Sequence, residues 1–431
     1  MSRLNFTGLN AGRRKSKGIQ IIGGDGVYFH LEDGRKIIDA SNTGGPLGHR
    51  HPKMIEAVKK ATDAPVVNEG WRWREREKAA EELIDIAFAG ETDWVGSVRF
   101  ALSGSEANDL ALSFAQAYTG RAALATRERA YHGMVGLATQ MTVQPHWHGG
   151  LAVFNDSPKL LPEKCPVRIL DAPRSALYTG SPELNEQYSK FDSIETERKL
   201  SDVAATIIDY TQGGVYYDAR YQENVARAAR KAGSLWIADE VVTGLGRSGR
   251  WFAFQGGDAR PDIVTLGKPL AGGAAPAGAI VFSKEITEAM EDMSWQTYST
   301  FRGHPIAIFA IRAYLEVLAT SGVFVHVQDL EKIMRRRLVE IGERHPSVAR
   351  IDGRGLHWTI ELKGPDWRTW TSDTADLPIA SRVSNAAAKA GAVVGTSGEQ
   401  TSLFLAPPLI ISEVELDDLL NAVDQGLFVS D

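Results

Sequence analysis

The chain has 431 residues, of which 43% are hydrophobic and 24% charged, and a formal net charge of −6. Those values exclude intrinsic disorder, collagen and a coiled-coil rod, because a chain of this length buries a sizeable core unaided. The mild acidity argues against a dedicated nucleic-acid binder, which needs a cationic excess over phosphate. No run of about 18 apolar residues is available to span a membrane.

The N-terminus lacks the apolar stretch of a signal peptide. Arg13, Arg14, Lys15 and Lys17 read as a solvated lead-in segment, the alternative being an organelle-targeting arm. Residues 24–40 predict a hairpin turning at Asp33-Gly34. Helical spacing follows at 52–62 and 75–89. From about residue 97 short apolar runs alternate with helices. Strands are expected at 98–102, 122–125, 203–208, 235–238, 262–266 and 277–282, with helices at 104–118 and 220–232. Strands buried on both faces and separated by helices imply a mostly parallel α/β sheet. Beyond 305, helices at about 305–320, 328–344, 379–391 and 413–427 and strands at 348–351 and 356–362 predict an α+β tail. The expected organisation is a large domain over 61–305 and a smaller one built from 1–60 and 306–431. The single cysteine, Cys165, excludes an intrachain disulfide and a cysteine metal cluster and points to a reducing cytoplasm. Lying between Pro162 and Pro166, its thiol reads as inert.

Ligands of open α/β sheets sit at the carboxyl ends of the strands, and three strand ends carry chemistry. Ser103-Gly104-Ser105-Glu106-Ala107-Asn108 opens a helix, either as an anion cradle or as an ordinary capping box. Asp239-Glu240 ends a buried strand, where a carboxylate needs a partner: a protonated ring nitrogen or a structural cation. Lys268 follows another strand and precedes Gly272-Gly273. It is a Schiff-base lysine if desolvated and a surface lysine if not. An anion cradle, a carboxylate for a pyridine nitrogen and an imine-forming lysine together are the three anchors of pyridoxal phosphate. Tyr131-His132-Gly133 adds an aromatic side chain able to stack on a flat ring. Gly244-Leu245-Gly246-Arg247-Ser248-Gly249 fits a dinucleotide fingerprint, but no long helix or correctly spaced acid follows it. Gln144-Pro145-His146-Trp147-His148 lacks a third ligand and reads as a loop, so no metal is expected.

In order and spacing these motifs resemble the class III aminotransferases, fold type I pyridoxal-phosphate enzymes, from about residue 20 to 425, which implies a large domain with a seven-stranded type of sheet plus a smaller α+β domain from both termini. The nearest branch looks like the one containing glutamate-1-semialdehyde aminomutase. Also similar are Gly44–Pro52, Asp239–Gly249, Asp262–Lys268, Gly272–Gly278 and Thr300–Pro305. The resemblance implies that Lys268 forms the Schiff base and shuttles a proton, and that Asp239 pairs with the pyridinium nitrogen. It places Val241 and Tyr131 on the two ring faces, Gly104 and Ser105 at the phosphate, and Ser103 and His132 among the cofactor-binding residues. Thr300 is implied to reach the phosphate of a partner subunit's cofactor, hence a homodimer with shared sites. The implied reaction passes an amino group from a small-molecule donor to a carbonyl acceptor, by a ping-pong route through pyridoxamine phosphate. An aminomutase or racemase is the alternative, and a decarboxylating transaminase a lesser one.

The chain departs from this pattern at several positions. Asp209 and Tyr210 replace a Glu-Pro pair, and Gly214 stands where ornithine-type members carry a second Glu. Phe404 replaces the arginine that clamps an α-carboxylate. Within Trp71-Arg72-Trp73-Arg74, the residues Arg72, Trp73 and Arg74 are the candidate replacement, the alternative being a surface loop. Phe404 and the tryptophans point to a bulky or apolar substrate portion.

Overall fold

The computed structural model describes residues 19–144, 147, 161–172, 176–180, 193–211, 219–364 and 378–431. The basic residues at 13–17, His146, His148 and Gly214 lie outside them. Strands β1 (Ile21–Asp25), β2 (Tyr28–Leu31) and β3 (Lys36–Ala40) form the expected hairpin region. Its turn closes because Gly34 takes a φ of +86° and Asp33 accepts a hydrogen bond from the Arg35 backbone N–H. Next come β4 (Val95–Ala101), β5 (Ala123–Arg127), β6 (Val167–Leu170), β7 (Tyr178–Thr179), β8 (Val203–Asp209) and β9 (Leu235–Asp239). The chain continues through β10 (Ile263–Leu266), β11 (Gly278–Ser283), β12 (Val348–Arg354), β13 (His357–Leu362), β14 (Ala392–Thr396) and β15 (Ser402–Leu405).

Among the described residues these strands make two sheets. The larger has the order β4-β11-β10-β9-β8-β5-β6, parallel throughout except that β11 runs against both neighbours. Strands β8 and β10 are buried along their whole length. Ile207, Ile237 and Ile263 at its centre are fully buried, each supplying about 1.5–3 kcal/mol of transfer free energy. Helices Gly104–Thr119 and Ala219–Ala232 cover it.

The second sheet has the order β1-β2-β3-β14-β15-β13-β12-β7. It joins both ends of the chain through the parallel pair β3–β14, in which Asp39 faces Val393. Its far edge, β7, comes from within the 61–305 segment. Two residues are too few to leave a sequence pattern, so this strand has no counterpart among the expected elements. The helix expected from 328 starts earlier, at Val323, and runs to Arg344. The helix expected over 75–89 is α-helical over Arg74–Glu82 and ends in a π-helical turn, Leu83–Ala87.

Helix Pro305–Thr320 joins the two halves. Pro305 sits in its first turn, where its missing N–H is harmless, and the His304 ring accepts from the Ile306 N–H. The helix packs on Pro52–Ala61 and on the turn Lys268–Ala271, and the Tyr314 hydroxyl donates to the Leu245 carbonyl at 2.7 Å. Among the described residues no single helix is long and apolar enough to cross a membrane.

Candidate active site

A pocket of about 320 Å³ opens at the carboxyl edge of the larger sheet. Parallel strands direct their carboxyl ends to one side. Asp209 and Thr211 arrive there from β8, Asp239, Val241 and Val242 from β9, and Lys268 from β10. Strand β11 runs the opposite way, so its amino end delivers Ala275, Pro276 and Ala277 to the same edge. The junction of β4 with helix Gly104–Thr119 contributes Leu102 to Ser105 and Asn108. The loop after β5 contributes Tyr131 to Gly133.

Ser103 caps the helix, its hydroxyl accepting from the Glu106 N–H at 3.2 Å. The Glu106 carboxylate returns to the Leu102 N–H rather than to Ser103, so the box is shifted by one residue. The first N–H groups of a helix have no intrahelical partner, and the helix dipole adds partial positive charge. A β-carbon on Gly104 would collide with the Val241 methyls, and one on Gly133 with Ser105. Glycine is therefore required where these backbones close around the cradle.

Asp239 is almost fully buried and held on three sides. Its Oδ2 accepts from Asn108 Nδ2 at 2.8 Å and lies 2.7 Å from His132 Nδ1, and its Oδ1 accepts from the Val241 N–H at 3.0 Å. The far nitrogen of His132 is 2.9 Å from Thr126 Oγ1. Asn108 Oδ1 accepts in turn from Thr265 Oγ1, and Asn108 Nδ2 also donates to the His132 carbonyl. Behind this group, Arg127 is fully buried against Asp209, with Nη2 to Oδ1 at 2.8 Å.

Lys268 has a positive φ of 20°, a conformation unusual for a side-chain-bearing residue. Its side chain is open to the pocket but ringed by protein. Desolvation pulls the ammonium below the ordinary lysine range, and Asp239 and Asp209 oppose that pull. Desolvation likewise pushes the half-buried Tyr131 hydroxyl up, and Asp239 adds to it. The Tyr131 ring meets Trp147 edge to face at 5.0 Å between centroids. Trp147 packs on Gly398, so a loop of the second sheet closes over this side.

The pocket thus brings together Ser103, Gly104, Ser105, Tyr131, His132, Asp239, Val241 and Lys268. Thr300 lies outside it, exposed. Arg72, Trp73 and Arg74 also lie elsewhere. Arg72 is exposed and paired with Glu77 at 2.7 Å, Arg74 is exposed, and Trp73 packs toward Phe309. Phe404 sits on β15, its ring 6.2 Å from that of His357. His357 is pushed down to about 3 by desolvation, by Arg247 and by Lys268, so the imidazole is neutral and feels the lysine's charge. Asn108, Thr211 and Ala275 to Ala277 join the site without being marked as site residues by the sequence motifs. Asn108 lies inside the Ser103–Asn108 motif, whereas the alanines depend on the reversed direction of β11, which no local pattern reveals.

The family model for "Aminotransferase class-III" matches residues 11–427. The chain belongs to the class III aminotransferases. Acetylornithine aminotransferase of Mycobacterium leprae is 31% identical over 88% of this chain and 82% of its own length. Ethanolamine-phosphate phospho-lyase homolog 1 of Caenorhabditis elegans is 29% identical over 93% and 86%. The crystal structure of an S-selective transaminase from Bacillus megaterium superposes with a TM-score of 0.89 at 28% identity, covering 99% of this chain and 96% of that one. The two-sheet architecture is that of the fold type I pyridoxal-phosphate enzymes.

Glu240, next to Asp239 in this class III aminotransferase, faces away from the pocket. It accepts from Thr243 Oγ1 and, at 2.8 Å, from the Phe254 N–H. Desolvation pushes its carboxyl up to about 7. The folded state therefore keeps a proton that the unfolded chain releases near pH 4.5. Stability conferred by that proton is full below this point and is lost as pH rises through about 7. Glu240→Gln, which cannot ionise, is expected to flatten this slope. Its thermal midpoint relative to the parent should rise by a few degrees between about pH 5 and pH 8, read by circular dichroism melts. A constant difference would contradict the assignment.

Proposed function

We propose that this class III aminotransferase binds pyridoxal phosphate at the pocket and moves an amino group from an amine or amino-acid donor to a carbonyl acceptor in two half-reactions. The supporting observation is the convergence of Lys268, Asp239 and the helix start at Gly104 on one cleft in a chain of this family. The residues fit the group: a glycine-lined cradle for phosphate, a buried carboxylate for the ring nitrogen and a desolvated amine for the aldehyde. Bound there, the cofactor supplies an aldehyde for imine formation and a ring that takes up the electron pair left when the donor's C–H bond breaks. Lys268, whose charge desolvation disfavours, would present Nζ to the aldehyde and would move the proton of the donor carbon. Asp239 would hold the ring-nitrogen proton, its carboxylate kept oriented by His132 and Asn108. Ser105 and the Gly104 backbone would hold the phosphate, with Val241 and Tyr131 lining the space for the ring.

The proposed active form is a homodimer in which Thr300 reaches the partner's cofactor. In support, Thr300 is exposed, and so are the neighbouring Tyr298 and Phe301 and the nearby Trp71. Arg72 and Arg74 lie on the protein surface away from this protomer's pocket, so they can hold a substrate carboxylate only in a site completed by a second protomer. The proposed substrate has a bulky or apolar portion, on the strength of Phe404 and the tryptophans. A reducing, cytoplasmic setting is proposed from Cys165, which is buried with its thiol pushed up by desolvation.

The second reading is an isomerase of the aminomutase branch, favoured by Phe404 in place of a clamping arginine. A test separates them. The visible spectrum of the pyridoxal-phosphate-loaded protein is recorded as aromatic amines, glutamate and phosphoethanolamine are added singly without acceptor. A lasting spectral change with release of a carbonyl product, strongest for the apolar amines, is expected. Racemisation or migration of the amino group would support the isomerase, and phosphate release would support elimination of the kind named for the phospho-lyase relative. Absence of a visible band after loading would overturn the cofactor assignment.

A further inference from the structure

Four charged side chains outside the pocket form one cluster. Glu69 precedes helix Arg74–Glu82, Arg99 lies on β4, Glu106 is in the first turn of helix Gly104–Thr119, and Arg302 lies just before helix Pro305–Thr320. Glu69 Oε1 accepts from Arg99 at 2.9 and 2.6 Å. Its Oε2 accepts from Arg302 Nη1 at 3.1 Å and from the Ser299 N–H at 2.9 Å. Arg302 also donates from Nε and Nη2 to Glu106 Oε1, at 3.1 and 2.9 Å, and from Nη1 to Thr297 Oγ1 at 3.2 Å. Arg99 donates to the Thr297 carbonyl at 2.7 Å. The Arg302 side chain is only 6% exposed.

Two segments are pinned by this cluster. One is the phosphate cradle: the Glu106 oxygen not gripped by Arg302 accepts from the Leu102 N–H, and Ser103 caps the Glu106 N–H, so Gly104 and Ser105 lie within this clasp. The other is the stretch 297–302, fastened at Thr297, Ser299 and Arg302, which leaves Thr300 exposed between its anchors. A planar guanidinium holding two carboxylates at once fixes both position and angle, which a single point charge does not.

We propose that Arg302 is a positioning residue. It sets the phosphate cradle of its own protomer through Glu106, and it sets the segment carrying Thr300 toward the partner's cofactor through Glu69 and Thr297. This rests on the reading of a pyridoxal-phosphate dimer. Its consequence is that one side chain stands behind both phosphate contacts, so its loss is felt at the phosphate end of the cofactor and not at the ring.

The test uses the full-length apo protein. Dissociation constants for pyridoxal phosphate and for pyridoxal, which lacks the phosphate, are measured by absorbance in the parent, Arg302→Gln, Arg302→Lys and Thr300→Ala. The expected result is that Arg302→Gln weakens pyridoxal phosphate about tenfold and changes pyridoxal by less than about twofold. Arg302→Lys should behave like the glutamine variant, because it keeps the charge but loses the two-carboxylate grip. The double variant Arg302→Gln/Thr300→Ala should lose less than the two single losses multiplied, since part of the arginine's effect passes through Thr300. Equal weakening of both ligands, full rescue by lysine, or a drop in thermal midpoint with unchanged binding would each overturn the proposal. If Arg302→Gln does not fold, the comparison is decided on Arg302→Lys alone. If the parent binds neither ligand, the dependence on pyridoxal phosphate falls, and this inference with it. If the parent binds and the variants match it, only this inference falls.

Discussion

Lys268→Ala is expected to reduce turnover by at least about 10⁴-fold, the scale at which a nucleophile that also carries the proton is lost. Lys268 is the amine that the structure brings into the pocket, presented from the end of β10 in a positive-φ conformation and stripped of much of its hydration. Desolvation raises the share of neutral amine near neutral pH, and Asp239 and Asp209 limit how far this goes. An alanine leaves space in a pocket of about 320 Å³, so added methylamine should restore part of the rate. Lys268→Arg should not respond, because a guanidinium stays protonated and cannot attack. Steady-state rates with and without methylamine check this. Activity within about tenfold of the parent in Lys268→Ala would remove the lysine from the mechanism.

Asp239→Asn is expected to lower kcat by roughly 10²–10³-fold at saturating cofactor, as for removal of a preorganised electrostatic partner. The carboxylate is nearly buried and already accepts from Asn108 and the Val241 N–H, with His132 at 2.7 Å. An ionised carboxylate has about four acceptor sites, which leaves capacity for the proton of a bound ring. An amide of the same shape fills the space, so folding should be kept while the negative charge is lost. Glu240→Gln, one residue along but turned toward Phe254, should leave kcat within a few-fold of the parent. Measuring both variants in parallel isolates the pocket charge from any general cost of altering the end of β9. Equal effects from the two would refute the role of Asp239.

Much of this site is legible in the amino-acid sequence alone. The strand-end rule locates Ser103, Asp239 and Lys268, because buried parallel strands advertise themselves as apolar runs and their last residues must face the edge. Helix boundaries at Pro305 and Glu413 are also readable, through the early proline and through Ser412, which caps with Glu415. What is not legible depends on long-range direction or on contacts between distant segments. The antiparallel course of β11, which brings Ala275 to Ala277 into the pocket, has no local signature. The two-residue β7 is too short for one. The bond between Asn108 and Asp239 joins residues 131 positions apart. The surface positions of Arg72 and Arg74 follow from how helix Arg74–Glu82 seats against Pro305–Thr320, which spacing alone does not disclose.

The parallel pairing of β3 with β14 has a consequence for synthesis. Asp39 meets Val393 only after more than 300 intervening residues have left the ribosome. Among the described residues the strands of the larger sheet end at Ser283, so they can pair while the first hairpin still waits with one edge unpaired and Arg302, which grips Glu106, is still to come. Contacts this distant along the chain close slowly, and an unpaired strand edge invites association with other chains. The strands of the larger sheet are therefore all made before β15, which the sheet carrying Phe404 and His357 requires. Early cover over that edge would favour productive completion over association.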